Sequence, residues 1–577
     1  MHFPEITLPD ERLAFLQKNE GRFRHWERAN AWLEAICGIR NFFESPDQLA
    51  GFLRFISEKG SNVQEPDRRA YGDFQTNEPL ARKAVQYLLS GQKGRKIDFL
   101  LEPTCGRGNF ILAALAQTET LKKITGIEIY APYVWEAKFR VLDFFIRNPN
   151  RPRPEMEIIH ANVFDFDFER LARETQAFSV LLTGNPPWVT HAALGAIEAD
   201  NLPQKSNFKR HRGLDAITGK SNFDLGEPVL LRLLRHFSTH RGCMGFLVKN
   251  AVAKNLLHDQ KQNAFPIGAL EKLNIDAKKE FNASVDACLF VARLNETPAL
   301  SCTERDFYTG EKRTSFGWVN ERFVYSISAY REAKDIEGKS PFIWRQGIKH
   351  DCAKVMELEK EKGHFRNGFE EKVKIEKDLV YGLMKSADLK GSPTNAYRKS
   401  TIVTQKKIGQ STGFIQTDYP LTFAYLWENK AHFDRRKSAI YKGKPDFSIF
   451  GVGDYSFMPF KVAVSGLYKS THFTLVLPEK DKPLMLDDTC YFIGFDRLSQ
   501  AKIACFLLNH AYTRQFLKAI VFPDAKRSIT KEALMRIDLG KVYDFFDFDW
   551  IQNECDTVSW EEWKAFGEMT RSCVDSN

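Results

Sequence analysis

Cysteine is scattered in this chain: ten residues of 577 stand apart, with no CxxC pair and no histidine-rich cluster beside them. That spacing indicates neither a zinc site nor a disulfide framework. Long hydrophobic runs are missing too. The opening MHFPEITLPDERLAFLQ lacks a basic stretch followed by an apolar one, and no later stretch is apolar over the length a bilayer crossing needs. These absences predict a soluble protein of a reducing cytoplasm, with no bound metal and no membrane. There is no internal repeat and no low-complexity linker, so the domains are expected to pack closely. Nor is one sign of charge in large excess. Lys and Arg number 83 against 74 Asp and Glu, a balance of +9 that permits a polyanionic partner without requiring one.

What is present is apolar bulk. At 43% hydrophobic residues the chain can bury large cores and should divide into two or more domains. Aromatic residues reach 13%, with 47 Phe, and residue by residue most of them belong to cores. In residues 1–60, Phe15, Trp26, Trp32, Ile36, Phe42, Phe43, Leu49, Phe52 and Phe55 recur at helical spacing, which predicts a helical N-terminal cap. Residues 61–295 change pattern. The runs IDFLLE, KITGIEI, EIIHA, FSVLLTG, MGFLVK, LEKLNI and ACLFVAR alternate with helical stretches, the mark of an α/β fold with a Rossmann-like parallel sheet of about seven strands. The alternation fades beyond residue 295. Residues 296–577 are predicted to form a mixed α+β domain ending in helices near Ala501–Ala519 and Trp560–Thr570.

Three strand ends carry chemistry. IDFLLEPTCGRGNFILAA, Ile97 to Ala114, runs from a strand through a glycine turn into a helix. Gly106 and Gly108 permit a tight turn and close approach of a nucleotide-like ligand to the helix N-terminus. The spacing is shorter than GxGxxG, which disfavours a dinucleotide, and a ligand-free βα turn has the same pattern. The next strand ends in Glu128, whose carboxylate suits a ribose diol. The third is followed by Ala161, Asn162, Val163 and Phe164, a side-chain amide and apolar groups placed where an adenine ring could be read and sandwiched.

A fourth strand, Phe178 to Thr183, enters Gly184, Asn185, Pro186, Pro187 and Trp188. Consecutive prolines fix φ and force an extended residue before them, so this turn is rigid. An exocyclic aryl amine is a weak nucleophile because its lone pair is delocalised into the ring. If the Asn185 side-chain oxygen and the Pro186 carbonyl accept both amine hydrogens, the lone pair is directed at an electrophile. Trp188 would offer a flat surface to an extruded base. A Pro-Pro turn with a packing tryptophan has the same letters.

In motif content and order, the chain resembles the gamma class of N6-adenine DNA methyltransferases, and the resemblance extends over most of its length. It implies a class I S-adenosylmethionine-dependent methyltransferase core followed by a C-terminal target-recognition domain that binds double-stranded DNA. YGDFQTNEP, Tyr71 to Pro79, is similar to the first family motif and makes Thr76 a cofactor contact. LEPTCGRGNF implies that Glu102, Pro103, Thr104 and Cys105 line the cofactor with Gly106 and Gly108, and Glu128 takes the ribose. Asn162 stands where the family usually has aspartate. NPPW implies that Asn185 and Pro186 bind the target amine, Pro187 adjoins the cofactor and Trp188 stacks on the base. GKSNFDLGEPVLLRLLRHF, Gly219 to Phe237, resembles the helix after the variable catalytic loop, and GFLVKNAVAKN, Gly245 to Asn255, the next strand and turn. KKEFNASVDACLFVAR makes Phe281 a second stacking residue.

WRQGIKHD, Trp344 to Asp351, and Phe447 to Lys469 look like target-recognition segments. Around them Lys406-Lys407, Arg435-Arg436-Lys437 and Lys442-Lys444 interleave with Tyr441, Phe447, Tyr455 and Phe457, a pattern suited to phosphates and also to a plain solvated face. The resemblance leaves room for a separate restriction endonuclease partner. An RNA or protein glutamine methyltransferase, which meets the same lone-pair problem, and a silent DNA-binding module are the alternatives.

Overall fold

In the computed structural model, residues 10–57, 75–91, 96–189, 224–361, 363–467, 471–523 and 527–575 are described. The chain forms two compact units, Met1–Phe323 and Val324–Asn577.

The first unit is built on parallel strands with helices between them: β1 (Phe99–Glu102), β2 (Lys123–Glu128), β3 (Glu155–His160), β4 (Ser179–Gly184) and β5 (Arg241–Lys249). All seven anticipated runs are strands, the last two being β6 (Ile267–Ile275) and β7 (Ala287–Leu294). Their order across the sheet is β6-β7-β5-β4-β1-β2-β3. β7 is antiparallel to both its neighbours, while β3, β2, β1, β4 and β5 run parallel. This is the Rossmann-like parallel sheet expected from the alternating runs, with one antiparallel strand, β7, between β5 and β6. Every residue of β1 is buried, and buried parallel strands read as continuous apolar runs rather than alternating ones. That property made them legible.

The sheet does not stop at residue 295, where the domain boundary was expected. β8 (Ser301–Asp306) adds parallel to β6, and β9 (Lys312–Val319) and β10 (Arg322–Val324) extend the edge to ten strands. The first unit therefore runs to Phe323. β8 and β9 lie near the margin and are only part-buried, so their polar composition mimics the end of a domain.

The N-terminal helices α1 (Asp10–Lys18), α2 (Trp26–Cys37) and α3 (Pro46–Ser57) are present, but they belong to the same compact unit rather than to a separate cap. Phe42, fully buried, lies 5.4 Å from the Phe139 ring and 6.1 Å from the Trp135 ring. Both partners stand on the helix Ala131–Arg147 that follows β2. The buried Lys138 donates from Nζ to the Phe42 carbonyl at 2.9 Å and lies over the Trp135 ring. After α2 the chain pairs with the edge of the sheet: Met156 N–H donates to Gly38 O, and Arg40 N–H donates to Met156 O. An otherwise open strand edge is thereby covered. Gly38 has φ +76°, and a Cβ there would meet Pro154 O at 2.2 Å, so only glycine fits this approach.

The second unit holds a four-stranded sheet, order β11-β20-β17-β18, and a six-stranded one, order β14-β13-β12-β16-β15-β19. Their strands are β11 (Arg345–Gln346), β12 (Glu357–Glu361), β13 (His364–Arg366), β14 (Lys372–Val373), β15 (Val380–Met384), β16 (Lys399–Ile402), β17 (Phe460–Ser465), β18 (Thr474–Val476), β19 (Met485–Leu486) and β20 (Cys490–Phe495). The expected terminal helices form as Leu498–Asn509, Ala511–Ile520 and Trp560–Asp575. Among the described residues, no helix is long and apolar enough to cross a membrane.

Phe42→Ala should destabilise the first unit by about 3–5 kcal/mol, the cost of removing a fully buried Phe from a packed core. Chemical denaturation of the purified protein measures it, and a loss below ~1 kcal/mol would return the N-terminal helices to the status of an appended cap.

Candidate active site

The carboxyl ends of β1, β2, β3 and β4 open on one cavity. Its wall includes Thr76, Glu102, Pro103, Thr104, Cys105, Gly106, Glu128, Asn162, Val163, Asn185, Pro186 and Pro187. Twelve of the residues singled out from the sequence thus meet at one place. They come from four strand ends and one helix approach because parallel pairing aligns those ends.

The turn after β1 is held by Glu128. Its Oε2 accepts from Gly106 N–H at 2.8 Å, and its Oε1 accepts from Tyr130 N–H at 2.8 Å. A carboxylate has about four lone-pair directions, a geometry that can hold the turn and also accept from a ligand diol. Gly106 has φ +50°, and a Cβ on it would stand 2.8 Å from Gln75 Oε1. Arg140 donates to Arg107 O and Asn109 Oδ1 from one side of the turn. Thr104 Oγ1 is buried with no hydrogen-bond partner among the described residues, a hydroxyl that a polar ligand would satisfy. Asn162 Oδ1 accepts from Phe164 N–H at 3.0 Å, which commits its oxygen to the local turn and leaves the amide nitrogen as the donor.

Electrostatics set the site apart from its surroundings. Glu102 is buried and accepts from Ile111 N–H at 3.2 Å. Burial pushes its carboxyl well above the usual range, a direction that the nearby Glu128 reinforces and the Ile111 hydrogen bond opposes. Burial likewise pushes the Cys105 thiol up, with the two glutamates adding to it, so Cys105 is a neutral wall rather than a nucleophile.

Asn185 sits at the end of β4 with its Nδ2 donating to Thr76 Oγ1 at 3.2 Å. Thr76 is itself fixed, since Asn109 Nδ2 donates to its carbonyl. Thr76 thus carries a hydrogen bond to Asn185 in addition to lining the cavity, a link that motif spacing alone did not reveal.

Three expected residues do not line the cavity. Gly108, with φ +76°, is the first-turn cap of the helix Asn109–Gln117. A Cβ there would press on Ala137 Cβ at 3.3 Å, so it serves helix packing. Trp188 is only 4% exposed, with Nε1 donating to Leu247 O and its ring edge-on to Phe281 at 4.8 Å. Phe281 is buried as well. The two large rings bury apolar area against each other. Ala161 and Phe164, expected beside Asn162 and Val163, line the wall as well, whereas Gln75, Asn109, Phe110, Tyr130, Tyr133 and Leu225 line it without having been assigned a role from the sequence. Tyr130 adjoins a motif residue, and Asn109 and Leu225 lie inside stretches the sequence already marks, whereas Tyr133 carries no local signal. Tyr71–Phe74 and Gly219–Phe223 lie outside the described residues.

In the second unit, Lys406, Lys407, Arg435, Lys437, Lys442 and Lys444 are exposed. Arg436 differs from them: it stacks on Tyr441 at 3.7 Å and donates to Ser448 O at 2.7 Å and to His350 O. It is committed to holding loops together. Phe447 and Trp344 are buried core.

No family model matches the sequence. The chain is, however, 38% identical over 480 residues to the type II methyltransferase M.NspV of Nostoc sp. (strain ATCC 29411 / PCC 7524), which spans 82% of this chain and 97% of that protein. The chain belongs to the type II methyltransferases. S-adenosylmethionine is therefore its cofactor, and the Glu128-anchored turn and the orphan Thr104 hydroxyl fit that molecule. Among solved structures, the type IIL restriction-modification enzyme MmeI in complex with DNA aligns with TM-score 0.49 and 13% identity, over 92% of this chain and 81% of that one. A nuclease-deletion mutant of the type ISP enzyme LlaGI aligns with TM-score 0.46 and 10% identity, over 92% and 61%.

Two outcomes follow for this methyltransferase. Gly106→Ala should weaken S-adenosylmethionine binding at least tenfold in calorimetric titration, because the added methyl meets Gln75 at a left-handed backbone position; unchanged affinity would remove the turn from the cofactor site. For Glu102, the raised carboxyl means that the folded state keeps a proton the unfolded chain has lost, so stability falls as pH rises from the usual carboxylate range through the folded value. Glu102→Gln keeps the acceptor for Ile111 without the charge. Its melting temperature should gain on wild type as pH rises above the ordinary carboxylate range, and a gap that narrows with rising pH would contradict the assignment.

Proposed function

We propose that this methyltransferase modifies the N6 amine of an adenine extruded from a specific double-stranded DNA sequence, alongside a separate restriction endonuclease. The observation that carries the reading is the hydrogen bond from Asn185 Nδ2 to Thr76 Oγ1, within the cavity that Gly106 and Glu128 line. That bond orients the Asn185 amide with its nitrogen toward Thr76, and its oxygen is the group that accepts a hydrogen from the target. The Pro186 carbonyl accepts the other. Both acceptors belong to one rigid turn, so the amine is oriented at no further entropic cost.

S-adenosylmethionine, when bound, supplies a methyl group made electrophilic by a cationic sulfur. Glu102, Pro103, Thr104, Cys105, Gly106 and Pro187 would line its place, Glu128 would accept from the ribose hydroxyls, and Asn162 and Val163 would hold the adenine ring. Trp188 and Phe281 stack on the target base once it parts them, exchanging their mutual contact for faces on a flat ring. The exposed lysines and arginines of the second unit hold phosphates, while polar neighbours read base edges.

Asn185→Ala should lower methyl transfer from labelled S-adenosylmethionine to unmethylated bacterial genomic DNA by about 10²–10³-fold, the usual effect of deleting one preorganised hydrogen-bonding group. Cofactor affinity should stay within threefold. Nucleoside analysis of the wild-type product should return N6-methyladenine. Label in N4-methylcytosine, RNA or protein glutamine, or an Asn185→Ala variant of undiminished rate, would overturn the proposal.

A further inference from the structure

We propose that Lys249 is a positioning residue for the catalytic turn, its ammonium clamping the backbone of Trp188 to the returning chain at Asp224. The inference rests on the methyl-transfer reading of Asn185 and Pro186 and names what keeps those acceptors in place.

The need for such a clamp follows from the turn's composition. Pro186 and Pro187 have no N–H, so this stretch cannot continue the ladder that holds β4. Only its carbonyls and side chains remain as attachment points. Lys249, the last residue of β5, supplies a donor there: its Nζ lies 2.7 Å from Trp188 O and 2.7 Å from Asp224 Oδ2. Asp224 Oδ1 in turn accepts from Gly226 N–H at 3.1 Å, and Leu225 N–H donates to Val189 O at 3.0 Å. The two segments so joined are 35 positions apart in sequence, Val189 to Asp224, and together they give the cavity Pro186, Pro187 and Leu225. A Cβ on Gly226 would stand 3.4 Å from Pro186 Cγ, which shows how closely the returning chain backs the turn.

The pair is sheltered, with side chains 22% and 10% exposed. Burial raises the Asp224 carboxyl and the charge of Lys249 counters it, so removing the ammonium alone would strand a buried carboxylate. The informative variant therefore removes both charges.

Lys249→Met/Asp224→Asn should retain a melting temperature within a few degrees of wild type and bind S-adenosylmethionine within threefold of it. Its kcat on unmethylated genomic DNA should fall tenfold or more with little change in the cofactor KM, and Lys249→Arg should recover at least half the wild-type kcat. Independently of activity, hydrogen–deuterium exchange at the Leu225 amide should accelerate tenfold or more in the double variant. A kcat within twofold of wild type, a loss confined to the cofactor KM, or Leu225 exchange unchanged would each overturn the clamp. If wild-type enzyme modifies no DNA while Leu225 exchange still accelerates, the clamp stands and the methyl-transfer reading of the turn is what fails.

Discussion

Parallel pairing of β3, β2, β1 and β4 is the constraint on which the rest of the site depends. A parallel sheet sends all its carboxyl ends to one side, so residues far apart in the chain meet there without any long-range contact of their own. Here the ends deliver Glu102, Glu128, Asn162 and Asn185 to one cavity wall. The pairing is sustained by burial on both faces, since β1, β2 and β4 are almost wholly enclosed. On its outer side the sheet is covered by the N-terminal segment, which pairs with Met156 and drives Phe42 into the helix behind β2. The helices before the motifs thus belong to the machinery that holds the strand ends steady.

Upon that frame the site is made stiff by different means at its two ends. At the cofactor end a single carboxylate, Glu128, ties the glycine turn to the start of the following helix. At the other end two prolines remove backbone freedom and backbone donors together, and side chains from elsewhere hold what the ladder cannot. Thr76 receives the Asn185 amide, and Lys249 reaches the Trp188 carbonyl. Between the ends lies a buried carboxyl, Glu102, whose burial raises its affinity for a proton.

The seven strand cores of the sheet were legible because each is a short apolar run bounded by turn residues, and sheet burial enforces that pattern. The glycine turn, Glu128 and the Asn-Pro-Pro stretch were legible because each directly follows such a run, where a parallel sheet must place it. Other features left no local mark. β8 and β9 are edge strands with a wet face, and their polar letters suggested a boundary at residue 295 that the sheet passes over, to Phe323. Gly108 has the same letter as Gly106 but a different employment, because one faces the cavity and the other faces Ala137.

Sequence alone determined the residue types at the strand ends, and with them the kind of chemistry the cavity supports, since a strand's carboxyl terminus and the turn after it are local features. Tertiary structure alone decided which of those residues touch. The contact of Thr76 with Asn185, the closure of Trp188 on Phe281 and the reach of Lys249 to Asp224 each join segments whose separation in the chain carries no periodic signal. Such contacts depend on the exact packing of helices against a twisted sheet, a sum over many weak interactions that no short stretch of residues encodes.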